Sequence, residues 1–171
     1  MNKRHTACEE STLSEGGGNH PLNTPKEAAD MRDFPRTMPK IPAAPRVLVV
    51  DDESLIRWSV AVTLAERGYE VVETGDAAGA RSAIRDPQVK FDVVLLDLRL
   101  PDSDDLALLE SIRCLSPDTQ VILMTAFGRP EVLRGALQLG AYRVINKPFE
   151  MRAMADLVGE AAAAGPRSEA H

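Results

Sequence analysis

From Arg46 onward, short apolar runs alternate with amphipathic stretches. The runs are Val47-Leu48-Val49-Val50, Val71-Val72, Val93-Val94-Leu95-Leu96, Val121-Ile122-Leu123-Met124 and Val144-Ile145. Three of them are apolar at four consecutive positions, the pattern of parallel strands covered on both faces. Between them the spacing predicts helices with recognisable ends. The first covers about 54–67, with Ile56, Val60 and Leu64 on one stripe and Gly68 as its stop. The second begins at Asp76, an N-cap residue type, and fades before Pro87. The third spans about 105–115 with Leu108, Leu109 and Ile112 inward. The fourth starts at Pro130 and stops at Gly140, with Leu133, Ala136 and Leu137 as its apolar stripe. The fifth follows Glu150, turns Met151, Met154, Leu157, Val158 and Ala161 inward, and ends at Gly165-Pro166. Five such units predict one doubly wound α/β domain, a five-stranded parallel sheet with five helices.

Composition divides the chain further. Residues 1–45 hold six of the 12 prolines, the Gly16-Gly17-Gly18 run and no periodic apolar pattern. That composition cannot bury enough surface to offset the entropy of ordering, so a disordered arm is predicted over 1–45, with a role or as a bare extension. The folded domain is predicted over 46–163 and a flexible tail over 164–171. The arm carries six basic and six acidic side chains, so the net charge of −6 falls wholly on the remainder, which has 14 basic and 20 acidic ones. A nucleic-acid binder concentrates positive charge on its folded part, so direct nucleic-acid binding is not expected. No apolar run reaches the roughly 18 residues of a membrane span, and no apolar segment follows the first residues as a secretory leader requires. Cys8 and Cys114 are too few and too far apart for a disulfide framework, which fits a reducing cytoplasm.

In an open parallel sheet, ligand sites form beyond the carboxyl ends of the strands. The first run is followed by Asp51-Asp52-Glu53, the third by Asp97, the fourth by Thr125 and the fifth by Lys147-Pro148. Four of five strand ends thus deliver a polar or charged group to one rim. Carboxylates packed together resist joint ionisation unless a cation neutralises them, and hard oxygen ligands suit octahedral Mg²⁺ better than zinc. The bland alternative is that Asp51 and Asp52 merely open a helix, where carboxylates favour the N-terminus.

Four motifs carry a resemblance: Val49-Val50-Asp51-Asp52-Glu53, Leu95-Leu96-Asp97-Leu98-Arg99-Leu100-Pro101, Met124-Thr125-Ala126 and Lys147-Pro148-Phe149. In this order and spacing they resemble the receiver domain of bacterial two-component response regulators, over about residues 46–163. The look is nearest to receivers of nitrogen-regulation-type activators. The resemblance implies a flavodoxin-like sheet of strand order 2-1-3-4-5. It implies that Asp97 is the phosphoacceptor, attacking phosphorus of a phosphohistidine or small phosphodonor. Asp52, Asp97 and the backbone carbonyl of Arg99 would hold Mg²⁺, with Asp51 acting largely through water. Lys147 would pair with the phosphoryl oxygens, Thr125 would donate a hydroxyl hydrogen bond to them, and the Lys147-Pro148 peptide would be cis. Arg99 and Phe127 would tune dephosphorylation by controlling water access; the alternative for Phe127 is that it only packs a loop.

Two positions depart from the family pattern. The aromatic usual three residues before the lysine is Val144, which has no ring to swing inward and is stiff at χ1. Asp105 stands where the loop commonly has glycine; aspartate tolerates left-handed backbone and can cap the third helix. Cys114 is read as a helix residue without redox function, and Trp58 as packing at the edge of the first helix. After the fifth strand the chain offers one helix and eight residues, so the expectation is a single-domain response regulator. It would take its phosphoryl group from a sensor histidine kinase or phosphotransfer protein and switch protein–protein interactions. Beyond Mg²⁺-dependent self-phosphorylation and self-dephosphorylation, no enzyme activity is expected. Output would pass to a downstream protein through the fourth helix, fifth strand and fifth helix, including Arg129, Arg134, Arg143 and Arg152, with phosphorylation-dependent dimerisation left open.

Other classes fare worse. A phosphorylation-independent adaptor is supported only by Val144. A Mg²⁺-dependent phosphatase of the Asp-x-Asp type would need a second carboxylate where Arg99 stands. No Gly-rich phosphate loop opens a helix. His5, His20 and His171 lie in the predicted flexible ends, which argues against a histidine phosphotransfer site or a zinc cluster within the fold.

Overall fold

The computed structural model describes residues 43–103, 106–126 and 128–165. Strands β1 (Arg46–Val50), β2 (Glu70–Thr74), β3 (Val93–Asp97), β4 (Gln120–Thr125) and β5 (Arg143–Asn146) alternate with helices α1 (Ser54–Glu66), α2 (Ala77–Arg85), α3 (Ala107–Leu115), α4 (Pro130–Gln138) and α5 (Met151–Ala164). All neighbouring strands pair in parallel, in the order β2-β1-β3-β4-β5. The predicted doubly wound sheet and its order are those observed.

The consecutive apolar runs are explained by cover on both faces. Alternate residues of the inner strands feed two separate cores. Leu48, Val50, Val94, Leu96, Val121 and Leu123 pack against α2, α3 and α4. Val47, Val49, Val93, Leu95, Ile122 and Met124 pack against α1 and α5. The edge strands β2 and β5 are covered less completely, which is why their apolar runs are only two residues long.

Helix ends follow the expected chemistry in part. Asp76 caps α2, its Oδ1 accepting from Gly79 N at 2.6 Å. A second carboxylate joins it from the β3–α3 loop: Asp102 accepts from Ala77 N at 2.8 Å and Ala78 N at 2.9 Å. These backbone donors, Ala77 first, hold the Asp102 carboxyl below its ordinary range. Gly68 and Gly140 follow α1 and α4 with φ of 85° and 89°, left-handed backbone that glycine adopts without strain. Pro130 occupies the first turn of α4.

Several expectations need correction. The third helix begins at Ala107 rather than 105, and Asp105 with its proposed capping role lies outside the described residues. On α4, Ala136 is buried and Val132 packs against the core, whereas Leu137 is 54% exposed. Trp58 is 59% exposed on α1. Cys114 does lie on a helix, α3, where it is exposed. The predicted arm up to residue 42, the tail beyond 165 and Phe127 also lie outside the described residues. Among the described residues, no helix is long and apolar enough to cross a membrane.

Candidate functional site

Because β1, β3, β4 and β5 run parallel, their carboxyl ends reach the same edge of the sheet. Asp97 is the last residue of β3 and Thr125 the last of β4, while Asp51 directly follows β1. All three are buried. Lys147 follows β5, and its backbone N–H donates to Thr125 O at 2.7 Å, extending the β4–β5 ladder by one bond. The Lys147-Pro148 peptide is cis, as expected.

The lysine closes the site. Lys147 Nζ lies 2.6 Å from Asp97 Oδ2, 2.8 Å from Asp51 Oδ2 and 3.4 Å from Glu53 Oε1. The remaining carboxylate oxygens are tied to the main chain. Asp97 Oδ1 accepts from Arg99 N, and Asp51 Oδ1 from Glu53 N, each at 2.9 Å. Each bond is a local turn that folds the chain after its strand back over the carboxylate. Such bonds pre-set the orientation of both acids.

Burial dominates the electrostatics. It pushes the Asp51 carboxyl above its ordinary range, against the opposing pull of the Lys147 ammonium. For Lys147, burial would lower the pKa, but the bonds and charges of Asp51 and Asp97 outweigh it and hold the amine protonated.

Carboxylate oxygens of Asp51, Glu53 and Asp97 all lie within 4.8 Å of one another. Three hard oxygen donors so close, two of them on buried residues, fit a hard divalent cation such as Mg²⁺ better than a soft one. The structure therefore brings together Asp51, Asp97 and Lys147 from the sequence-based set, with Thr125 at the adjoining strand end. Asp52 is exposed, and its carboxylate is not among the three converging ones. Glu53, to which the sequence pattern assigned no role, supplies the third of them. Its signal was present: a residue two positions past a strand-end aspartate is brought back by the Asp51–Glu53 turn. Arg99 is exposed, its N–H engaged with Asp97. Arg129, Arg134, Arg143 and Arg152 are exposed, and Val144 is half-buried against the α2–α4 side of the core.

Fold and site together define a doubly wound α/β domain with an acid pocket and a buried lysine at its strand ends. Residues 47–159 match the family model for the response regulator receiver domain, and the chain belongs to that family. The chemotaxis protein CheY of Treponema pallidum (strain Nichols) is 32% identical over 129 residues, covering 71% of this chain and 90% of that protein. The regulatory protein AtoC of Escherichia coli (strain K12) is 36% identical over 107 residues, covering 62% of this chain and 23% of AtoC. The chain thus spans less than a quarter of AtoC but aligns with most of CheY. Among solved structures, a CheY-like receiver domain protein of Methanospirillum hungatei JF-1 superposes with a TM-score of 0.67 at 30% identity, covering 70% of this chain and 94% of that one.

Proposed function

We propose that this chain accepts a phosphoryl group on Asp97 and acts as a phosphorylation-driven protein–protein switch. The observation that carries the reading is the Lys147 ammonium bridging Asp97 Oδ2 and Asp51 Oδ2 at 2.6 and 2.8 Å. A buried carboxylate beside a fixed cation and further acids is a nucleophile whose incoming phosphoryl charge has a partner waiting.

In the reaction, an Asp97 oxygen attacks phosphorus of a phosphohistidine on a kinase or phosphotransfer protein. The O–P bond forms as the P–N bond breaks, and the departing imidazole takes a proton from solvent. Asp51, Asp97 and Glu53 would supply oxygens for Mg²⁺, and the family resemblance adds Asp52 and the Arg99 carbonyl to that set. Mg²⁺ bound there supplies charge neutralisation for the phosphoryl oxygens. Lys147 exchanges part of its pairing with Asp97 for the new phosphoryl oxygens, and the Thr125 hydroxyl donates to them. Output passes to a partner over α4, β5 and α5. No activity beyond self-phosphorylation and self-dephosphorylation is assigned, and the site of action is the cytoplasm.

The test is incubation with Mg²⁺ and a small phosphodonor, read by intact mass. Wild type gains one phosphoryl group and Asp97→Ala gains none. No gain in wild type would overturn the reading in favour of the phosphorylation-independent adaptor that Val144 suggests.

A further inference from the structure

We propose that Arg57 is a positioning residue of the acid pocket, holding the main chain of Asp51 while Lys147 holds its carboxylate. The inference rests on the reading of Asp51 as part of a divalent-cation site. Arg57 lies on α1, and its Nη1 donates to Asp51 O at 2.5 Å. Its Nε lies 3.7 Å from Glu73 Oε2 on β2, so the guanidinium joins α1, the end of β1 and the end of β2. Gly75 leaves room for this arrangement: a Cβ there would sit 3.3 Å from Arg57 Nη1 and 3.9 Å from Asp51 O.

The consequence follows from how Asp51 is held. Its N–H donates to Thr74 O at 3.2 Å, and its carbonyl accepts from Arg57. With both main-chain groups engaged, the carboxylate is aimed by the backbone and then fixed by the Glu53 N–H. Asp51 is fully buried, so loss of the guanidinium leaves its carbonyl without that donor in a place where burial is costly. Arg57 itself is 21% exposed, and a replacement side chain can turn to solvent. The β1–α1 turn then loosens, and with it the spacing of the Asp51 and Glu53 oxygens. A cation site depends on that spacing more steeply than the fold does.

The experiment measures metal affinity and phosphoryl gain separately. Arg57→Met, Arg57→Gln and Arg57→Lys are compared with wild type, using those that keep a wild-type circular dichroism spectrum. Free Mn²⁺ is counted by electron paramagnetic resonance, and phosphoryl gain from a small phosphodonor is followed against Mg²⁺ concentration. Loss of one charge-assisted bond predicts an apparent Mn²⁺ dissociation constant about tenfold higher in the Met and Gln variants. The half-saturating Mg²⁺ rises in parallel, while the rate at saturating Mg²⁺ stays within about twofold, and lysine restores part of the affinity. Mn²⁺ binding by the Met or Gln variant within twofold of wild type, or a lysine variant no better than methionine, overturns the proposal. If wild type binds Mn²⁺ but gains no phosphoryl group, the phosphoacceptor reading fails while the Mn²⁺ comparison still judges Arg57.

Discussion

Replacing Lys147 with methionine tests whether the ammonium is what makes two buried acids tenable. Methionine keeps most of the side-chain volume and removes the charge. Asp51 and Asp97 then face one another with side chains 0% and 7% exposed. Their oxygens lie within 4.8 Å, so two full charges repel by about 3–4 kcal/mol at an effective dielectric near 20. A second route gives a ceiling. One carboxyl can escape the repulsion by taking a proton, and lifting it from its ordinary value of 3.8 to neutrality costs about 4 kcal/mol at pH 7. Both routes agree with the cost of about 3–5 kcal/mol seen when one partner of a buried pair is removed.

The assay is urea denaturation in EDTA, wild type against Lys147→Met, at pH 7, 6 and 5. In the variant the folded-state pKa of the shared carboxyl lies above its unfolded value. Its deficit is therefore full above the folded pKa and is lost as pH falls toward the unfolded one. Where the folded variant holds one extra proton, the gap narrows by up to about 1.4 kcal/mol per pH unit. Excess Mg²⁺ at pH 7 narrows it too, because the pocket without its ammonium binds the cation more tightly and so gains more from it than wild type does. A gap below about 1 kcal/mol, or one that does not change between pH 7 and 5, would refute the claim that Lys147 neutralises this pair.

Three further outcomes follow from the fold. Leu95→Ala, at a fully buried position of central strand β3, costs about 2–5 kcal/mol by urea denaturation with little change in slope. Gly68→Ala meets no atom within 4 Å, so its cost of about 1–2 kcal/mol is the left-handed backbone alone, read as a lower melting temperature. Asp102→Ala lowers the melting temperature by an amount that is constant from pH 7 to 5. Since the folded pKa of Asp102 lies below the unfolded value of 3.8, the gap narrows once pH falls below 3.8 and is lost through that lowered value, so a gap that has not begun to narrow at pH 3 would exclude a charged cap.

The sheet was legible because burial on both faces writes itself as unbroken apolar runs, and the Asp76 cap because its residue type and place coincide. The errors fall where the local pattern underdetermines the packing. Leu133, Ala136 and Leu137 and Val132, Leu133 and Ala136 are equally good helical stripes. In the fold Val132 turns in and Leu137 out. Trp58, read as an edge residue of the first helix, is 59% exposed on α1, away from the buried Val60 and Leu64. Asp52 and Glu53 both stand within two residues of Asp51. Glu53 joins Asp51 and Asp97 through the bond from Glu53 N to Asp51 Oδ1, which folds the turn back while its side chain stays 60% exposed.

The same reasoning explains why the chemistry gathers where it does. The two acids that need the deepest burial end or follow the central strands β1 and β3, where cover from both faces is complete. The neutralising lysine comes from beyond edge strand β5, with a side chain long enough to reach back across the end of β4. An acid on the edge would stay solvated and lose its tension. The order of the strands thus sorts charge by depth, so that the pocket is under electrostatic strain at its centre and is relieved from its rim.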